Sequence, residues 1–432
     1  MNVLVLHKMG NPLFRREAVR TLEYMIPENR KDLNCIVHDA DVAFPDVLKE
    51  IDYHLIILGP TFLCSRYNPS TLSKIQKDFN FIKSSSACKV ALPQDDYDCS
   101  GILDNWMLDW GIDRIYTVCP EYWDVLYPNS IQKIEIKLGY TGYISENWIN
   151  SWRFPKEFET RKIDVSYRAN KLPANFGSLG QLKWEIADRF INALGNNSNL
   201  NLDISIDPKK MIPGSEWHNF MENSKFCLAT PSGSSLLDKD NSIRHCVQKY
   251  LKNKPEATFK DIEQYCFPNQ DGVYTFIAIS PRNIEAGLAQ TVQIATPGAY
   301  SGLMKPMEHF IPLNEDCSNI LEVKACMLDK KLIAEIRKNF KETILSEPRL
   351  RTGVIVNEIV QFAEEFISKK NIPVIAFEKN SKLLADYQFT LEKASKIYWD
   401  KKNSILNKKL EYIASKLGLV EVIKSFRHLL QS

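Results

Sequence analysis

Short apolar runs alternate with stretches whose apolar residues recur every three to four positions, and this alternation continues along most of the chain. The runs of the first third are Asn2–Leu6 (NVLVL), Asn34–His38 (NCIVH), Tyr53–Leu58 (YHLIIL), Cys88–Leu92 (CKVAL) and Arg114–Val118 (RIYTV). Gly10-Asn11-Pro12, Gly59-Pro60 and Pro93-Gln94-Asp95-Asp96-Tyr97 supply the breaks after them. Short apolar runs bounded by turn residues predict buried strands, and Phe14–Tyr24 and Ser73–Phe81 carry helical spacing between them. Strands alternating with helices in this way predict a parallel sheet built from βα units. A stretch rich in Trp, Asn and charge (145–162, with Pro155) interrupts the pattern, which then restarts. Ile163–Tyr167, Leu200–Ile206, Lys225–Ala229, Tyr274–Ala278 and Val292–Ala295 predict a second sheet, with an amphipathic helix over Gln181–Ala193 and a short helix start at Asn283–Ala289. From about Lys379 to Leu430 the spacing is continuously helical, and Gly418 divides it.

The expected fold class is therefore α/β: two Rossmann-like domains facing a central cleft, with a C-terminal helical tail. Residues 1–155 form the first domain, 156–375 the second, and 376–432 the tail. Ligands of such sheets sit outside the carboxyl ends of the strands. The length of 432 residues agrees, since one hydrophobic core stops growing near ~250–300 residues. A hydrophobic share of 44% with 25% charged residues excludes collagen-like, disordered and disulfide-scaffold classes.

The formal charge of +2 gives no global basic field for nucleic acid. It is a cancellation, because Lys379–Ser432 holds eleven Lys/Arg against five Asp/Glu and the remainder is mildly acidic. A basic amphipathic tail can cover the domains, sit on anionic lipid or pair two copies. The ten cysteines form no Cys-x-x-Cys and no zinc spacing, which predicts unpaired, buried thiols in a reducing compartment. MNVLVLHKMG is too short an apolar run for a signal peptide, and no apolar stretch reaches membrane-spanning length. The expected location is cytoplasmic, with the inner face of the membrane within the tail's reach.

The dinucleotide, P-loop, nucleophile-elbow and H-E-x-x-H motifs are absent, and no Asp-x-Asp ends an apolar strand. The segment Ser280–Leu313 is the most informative. Arg282 and Glu285 lie one turn apart at a helix start, where the guanidinium and the helix end suit phosphate and the carboxylate suits a vicinal diol. A solvated Arg–Glu helix pair has the same spacing. Tyr300 and Ser301 stand between Gly298 and Gly302, in a loop where a sugar can lie. Asp95 and Asp96 end an apolar strand, so one of them can face the cleft as a general base; a helix N-cap is the alternative. Arg168 follows a strand end. Ser232-Gly233-Ser234-Ser235 can form a phosphate-binding turn of backbone N–H groups. His309 is a candidate for the diphosphate or acceptor side.

Ser280-Pro281-Arg282-Asn283-Ile284-Glu285-Ala286, followed by an apolar strand and a loop ending in His309-Phe310-Ile311-Pro312-Leu313, resembles the donor-binding domain of GT-B glycosyltransferases, nearest the CgeB-like and surface-polysaccharide branches. Asp164–Arg168 with Leu179-Gly180, and Lys225–Ser235, resemble further parts of that domain. The resemblance implies that Glu285 contacts a donor ribose and that Arg282 lies on the diphosphate side. Arg168, Ser234, Asn283, Tyr300 and Ser301 complete the candidate donor site on the strength of their own positions. It departs at Gln290, where many relatives have a glycine turn.

The function that the resemblance implies is transfer of a sugar from a nucleotide-activated donor to a hydroxyl of a glycan or lipid-linked acceptor, in bacterial surface-polysaccharide synthesis. Asp95, Asp96 and His309 are the catalytic candidates. No cofactor and no metal are expected, so Arg side chains and helix ends must meet the charge of the leaving diphosphate. The expected partners are the donor, the acceptor and a membrane surface at the tail, with no nucleic acid. The rival readings are a non-catalytic sugar-nucleotide or glycan-binding protein, and an epimerase or phosphorylase of the same architecture.

Overall fold

The computed structural model describes residues 1–11, 15–195, 199–212, 214–370 and 377–416. The first sheet contains β1 (Asn2–His7), β2 (Asn34–Asp39), β3 (Leu55–Leu58), β4 (Cys88–Ala91), β5 (Arg114–Thr117) and β6 (Glu135–Leu138). They pair in the order β2-β1-β3-β4-β5-β6, all parallel. β1, β3 and β4 are buried along their whole length, as strands covered on both faces must be. β6 (EIKL) is a half-exposed edge strand and shows no apolar run.

The second sheet contains β7 (Ile163–Arg168), β8 (Leu202–Ser205) and β9 (Ser224–Ala229), with β12 (Val292–Ala295) and β13 (Phe310–Pro312). Their order is β13-β12-β9-β7-β8, again parallel. The two-domain α/β expectation is thus met. The Tyr274–Ala278 expectation is corrected. Only Phe276–Ala278 (β11) is strand, and it pairs antiparallel with Ser232–Ser234 (β10) in a separate ribbon. Gly233 permits that ribbon, since a Cβ there would lie 1.8 Å from the Phe276 carbonyl oxygen.

Between β10 and β11 the chain makes α1 (Ser242–Asn253) and α2 (Phe259–Cys266), which enclose a small core of Leu236, Ile243, Val247, Ile262 and Phe267. Cys246 and Cys266 form a disulfide here, with Cα atoms 5.6 Å apart. This corrects the expectation of unpaired thiols, for a helical hairpin brings together two cysteines whose spacing carried no signal. The insertion docks on the first domain through the partly buried Asp98–Arg244 ion pair and through hydrogen bonds from Ser100 N and Gly101 N to the carbonyls of Asp238 and Lys239.

The chain passes between domains near 140–156 and returns at 350–352. The two passages meet where Ile144 N donates to Leu350 O and Thr352 N to Ile144 O. The helix α3 (Thr352–Lys369) then packs on the first domain. Its Val356, Ile359, Val360 and Ala363 share a core with Val3, Val5, Leu22 and Met25. These residues stand in the sequence range assigned to the second domain, yet their apolar stripe completes the first. The helix α4 (Phe377–Lys416) lies along β2, with Leu384, Leu391 and Trp399 buried and Phe389 and Ile397 exposed. Gln388 Oε1 accepts from Val37 N and so covers part of the sheet edge. Gly418 and the apolar positions from Leu417 onward lie outside the described residues. Among the described residues no helix is long and apolar enough to cross a membrane.

Candidate functional site

The carboxyl ends of β7 and β9 open onto a pocket that also receives the start of α5 (Pro281–Leu288). This helix starts where the sequence says it should. Ser280 is its N-cap and accepts from Arg282 N, Pro281 takes the first position, and Asn283 Oδ1 accepts from Ser280 N at 2.9 Å. Arg282 and Glu285 therefore leave one helical turn on the same side.

Glu285 is 6% exposed, and its Oε2 accepts from the Trp217 indole N–H at 2.7 Å. Burial raises its pKa, against the pull of that hydrogen bond and of Arg282 and Arg16. The Arg282 guanidinium lies 5.4 Å from the centre of the Trp217 ring and donates to the carbonyl of Arg168. Trp217 thus holds both members of the pair. Lys183, half-buried on the helix α6 (Gly177–Leu194), lines the same pocket. Burial first, then the charges of Arg282 and Arg16, bring its pKa down to about 8.

The first domain supplies the facing wall. Arg16 reaches close enough to Arg282 and Glu285 to feel both charges. Asp95 acts on Lys183 from the end of β4. Among the described residues Arg16 and the Lys183 ammonium donate no hydrogen bond. Three cations, Arg16, Lys183 and Arg282, thus converge with Glu285 and Asp95 between the domains.

The loop that presents Asp95 is held from below. Arg66 is fully buried and donates to the carbonyls of Leu63, Gln94, Asp95 and Asp98 and to the Tyr67 hydroxyl. Asp95 itself is exposed at φ 52°, and its Oδ1 accepts from the Tyr97 hydroxyl at 2.6 Å. Non-glycine residues adopt this conformation rarely and at a cost, so the anchored backbone imposes it.

The other candidates fall into two groups. Arg168 lines the pocket, but its guanidinium is engaged with Asp203 Oδ1 at 2.7 Å and with the carbonyls of Tyr167, Asp203 and Lys210. Its contribution is the carbonyl that orients Arg282. Asn283 is buried and bonded to Gln293, so it shapes the helix start. Asp96 is corrected. It is fully buried in the first domain, where its Oδ2 accepts from the Thr117 and Tyr127 hydroxyls, and it does not face the cleft. The expected Ser232–Ser235 turn is likewise corrected, since Ser232–Ser234 is a strand of the ribbon and the Ser234 hydroxyl is spent on Phe176 O and on Leu236. Tyr300 is fully buried and donates to Thr296 O, while Ser301 Oγ accepts from Ile279 N, so both side chains brace their loop. His309 stands behind α5. Its ring accepts from Lys305 N, meets the Thr343 hydroxyl and packs on Phe340.

No protein-family model matches the chain, and no curated protein matches it. Several solved structures are similar in part. The structure of HepE from Anabaena in complex with UDP-glucose is 12% identical, with a TM-score of 0.43 over 84% of this chain and 100% of that one. A glycosyltransferase from Rickettsia africae is 10% identical, with a TM-score of 0.44 over 85% of this chain and 98% of that one. Sucrose-phosphate synthase from Thermosynechococcus elongatus is 10% identical, with a TM-score of 0.45 over 85% of this chain and 100% of that one. What the cleft can bind is decided by its own side chains.

Proposed function

We propose that the protein is a glycosyltransferase that takes its sugar from a nucleoside-diphosphate donor bound in this cleft. The observation that carries the reading is the gathering of Arg16, Lys183 and Arg282 at the start of α5, where Arg16 and Arg282 act on both Glu285 and Lys183. Cations held in a partly dry cleft at a helix N-terminus suit a diphosphate, and a buried carboxylate one turn away suits the hydroxyls of a ribose.

The chemistry follows from the charges. As the bond between the sugar carbon and the diphosphate oxygen breaks, negative charge grows on the departing phosphate. The three cations and the N–H groups of α5 meet that charge without reorganising. The acceptor hydroxyl loses its proton as it attacks the sugar carbon, and Asp95 is the carboxylate on the facing wall that can take it. Tyr97 and Arg66 hold Asp95 in place. Arg168 orients Arg282 through its carbonyl. The acceptor class that suits the finer expectation is a hydroxyl of a surface glycan.

Turnover tests the reading. The full chain is incubated with UDP-, GDP-, CMP-, dTDP- and ADP-linked sugars, with and without a glycan mixture, and the released nucleotide is measured. One donor should turn over, with kcat/KM roughly 10–100-fold lower in Arg282→Ala, as expected for losing a charged hydrogen bond. Nucleotide binding without release of any product would favour the binding-protein reading, and a rearranged donor sugar would favour the epimerase.

A further inference from the structure

A second cavity, of about 420 Å³, lies between the carboxyl ends of β1 and β2, the helix α7 (Glu17–Asn29) and α4. That volume falls within the range of small-molecule sites, roughly 300–1,000 Å³. Its polar floor is Asp39, buried at 4% exposure, whose Oδ2 accepts from the Ser395 hydroxyl at 2.8 Å and the Trp399 indole N–H at 3.0 Å. The rings of Tyr24 and Trp399 supply apolar walls with polar edges.

The charge of this lining contrasts with that of the donor cleft. Arg15 and Lys396 face three carboxylates, Asp39, Glu392 and Asp400. The Arg15 guanidinium is partly engaged, since it donates to Gly10 O and lies 3.9 Å from Asp39. Burial pushes the His7 pKa down to about 4, so its ring adds no cation at neutral pH. The lining therefore carries no surplus of positive charge for a phosphate. It offers donors, acceptors and ring faces in mixture, which suits hydroxyl groups on a ring with apolar faces.

Position ties this cavity to the cleft. Arg15 lines the cavity, and Arg16, the next residue and so only ~3.8 Å away along the backbone, acts on Arg282 and Glu285. We propose that the cavity beneath α4 receives an uncharged, hydroxyl-rich sugar unit, a part of the acceptor set back from the unit whose hydroxyl faces Asp95 in the reaction proposed above. The acceptor role rests on that reading; the sugar site itself does not.

The test is saturation-transfer NMR on the full chain with methyl glucoside, methyl galactoside, methyl mannoside and methyl N-acetylglucosaminide, each against the corresponding sugar 1-phosphate. UDP, GDP, CMP, dTDP and ADP are titrated in parallel. At least one methyl glycoside should give transfer and exceed its 1-phosphate. Ser395→Phe, which fills the cavity, should weaken binding at least roughly tenfold, and Glu392→Ala/Asp400→Ala, at exposed positions, should weaken it about threefold. Nucleotide affinity should not move in either variant. The proposal is overturned if no glycoside binds, if the 1-phosphates bind better, or if a folded Ser395→Phe or the double variant binds as wild type does. Glycoside binding without nucleotide binding supports the sugar site and removes the transferase reading. Nucleotide binding without glycoside binding removes only the sugar site.

Discussion

Lys183 shows how burial turns an ordinary side chain into a sensor of its site. Its pKa of about 8 means that its charge fades as the pH rises through that value. Affinity for an anionic nucleotide should therefore fall between pH 7 and 9, and Lys183→Met should flatten the profile while lowering its plateau; calorimetric titration at several pH values checks both. Glu23 makes the opposite case. It is 1% exposed, its Oε1 accepts from Thr61 N and from the Thr61 hydroxyl, and its Oε2 has no partner among the described residues. Burial pushes its pKa from 4.5 to about 7. The folded protein thus holds a proton that the unfolded chain has released, so Glu23 costs stability as the pH climbs from about 4.5 to 7 and beyond. Glu23→Gln should match wild type at pH 4 and exceed it at pH 8, by up to ~3 kcal/mol, in urea unfolding at the two pH values. An equal gap at both would refute this account.

At the scale of elements, α5 is the part on which the site depends. Gly287 lets it lie flat on α8 (Lys330–Ser346), because a Cβ there would meet Ile344 Cδ1 at 2.2 Å and Phe340 at 2.9 Å, both in the core. Gly287→Ala should cost ~1–3 kcal/mol and loosen nucleotide binding with it, as thermal unfolding with and without nucleotide would show. This helix was legible because its cap, its proline and its Arg–Glu spacing are local. The buried strands were legible because apolar runs are local too. β6 was not, since an edge strand of alternating charge has no run to show, and the Ser232–Ser235 segment reads as a turn until Phe276 is found beside it. Lys183, Arg16 and Trp217 carried no sequence signal at all. Each becomes part of the cleft only when segments far apart in sequence meet. Gln290 is an instructive middle case. The departure from a relative's glycine was visible, and the residue indeed sits at φ 53°, where glycine is favoured.

At the scale of the molecule, the two domains are joined along more than one line. The paired passages at Ile144 and Arg351 form one junction, and the insertion clamped by Asp98 and Arg244 forms another. The Asp98 side chain is only 4% exposed, so removing it leaves Arg244 without its counter-ion in a partly buried place. Asp98→Ala should cost ~1–3 kcal/mol in chemical unfolding, whereas an exposed pair such as Lys74–Asp78 should cost less than ~1. Two domains held in this way keep Arg16 and Asp95 facing Lys183, Arg282 and Glu285, and that facing arrangement is the central claim. Calorimetric titration of the full chain with UDP, GDP, CMP, dTDP and ADP tests it most directly. One nucleoside diphosphate should bind, and Arg16→Ala, from one domain, and Lys183→Ala or Arg282→Ala, from the other, should each weaken it roughly tenfold or more. Binding that persists unchanged in all three variants, or the absence of any binding, would contradict the account.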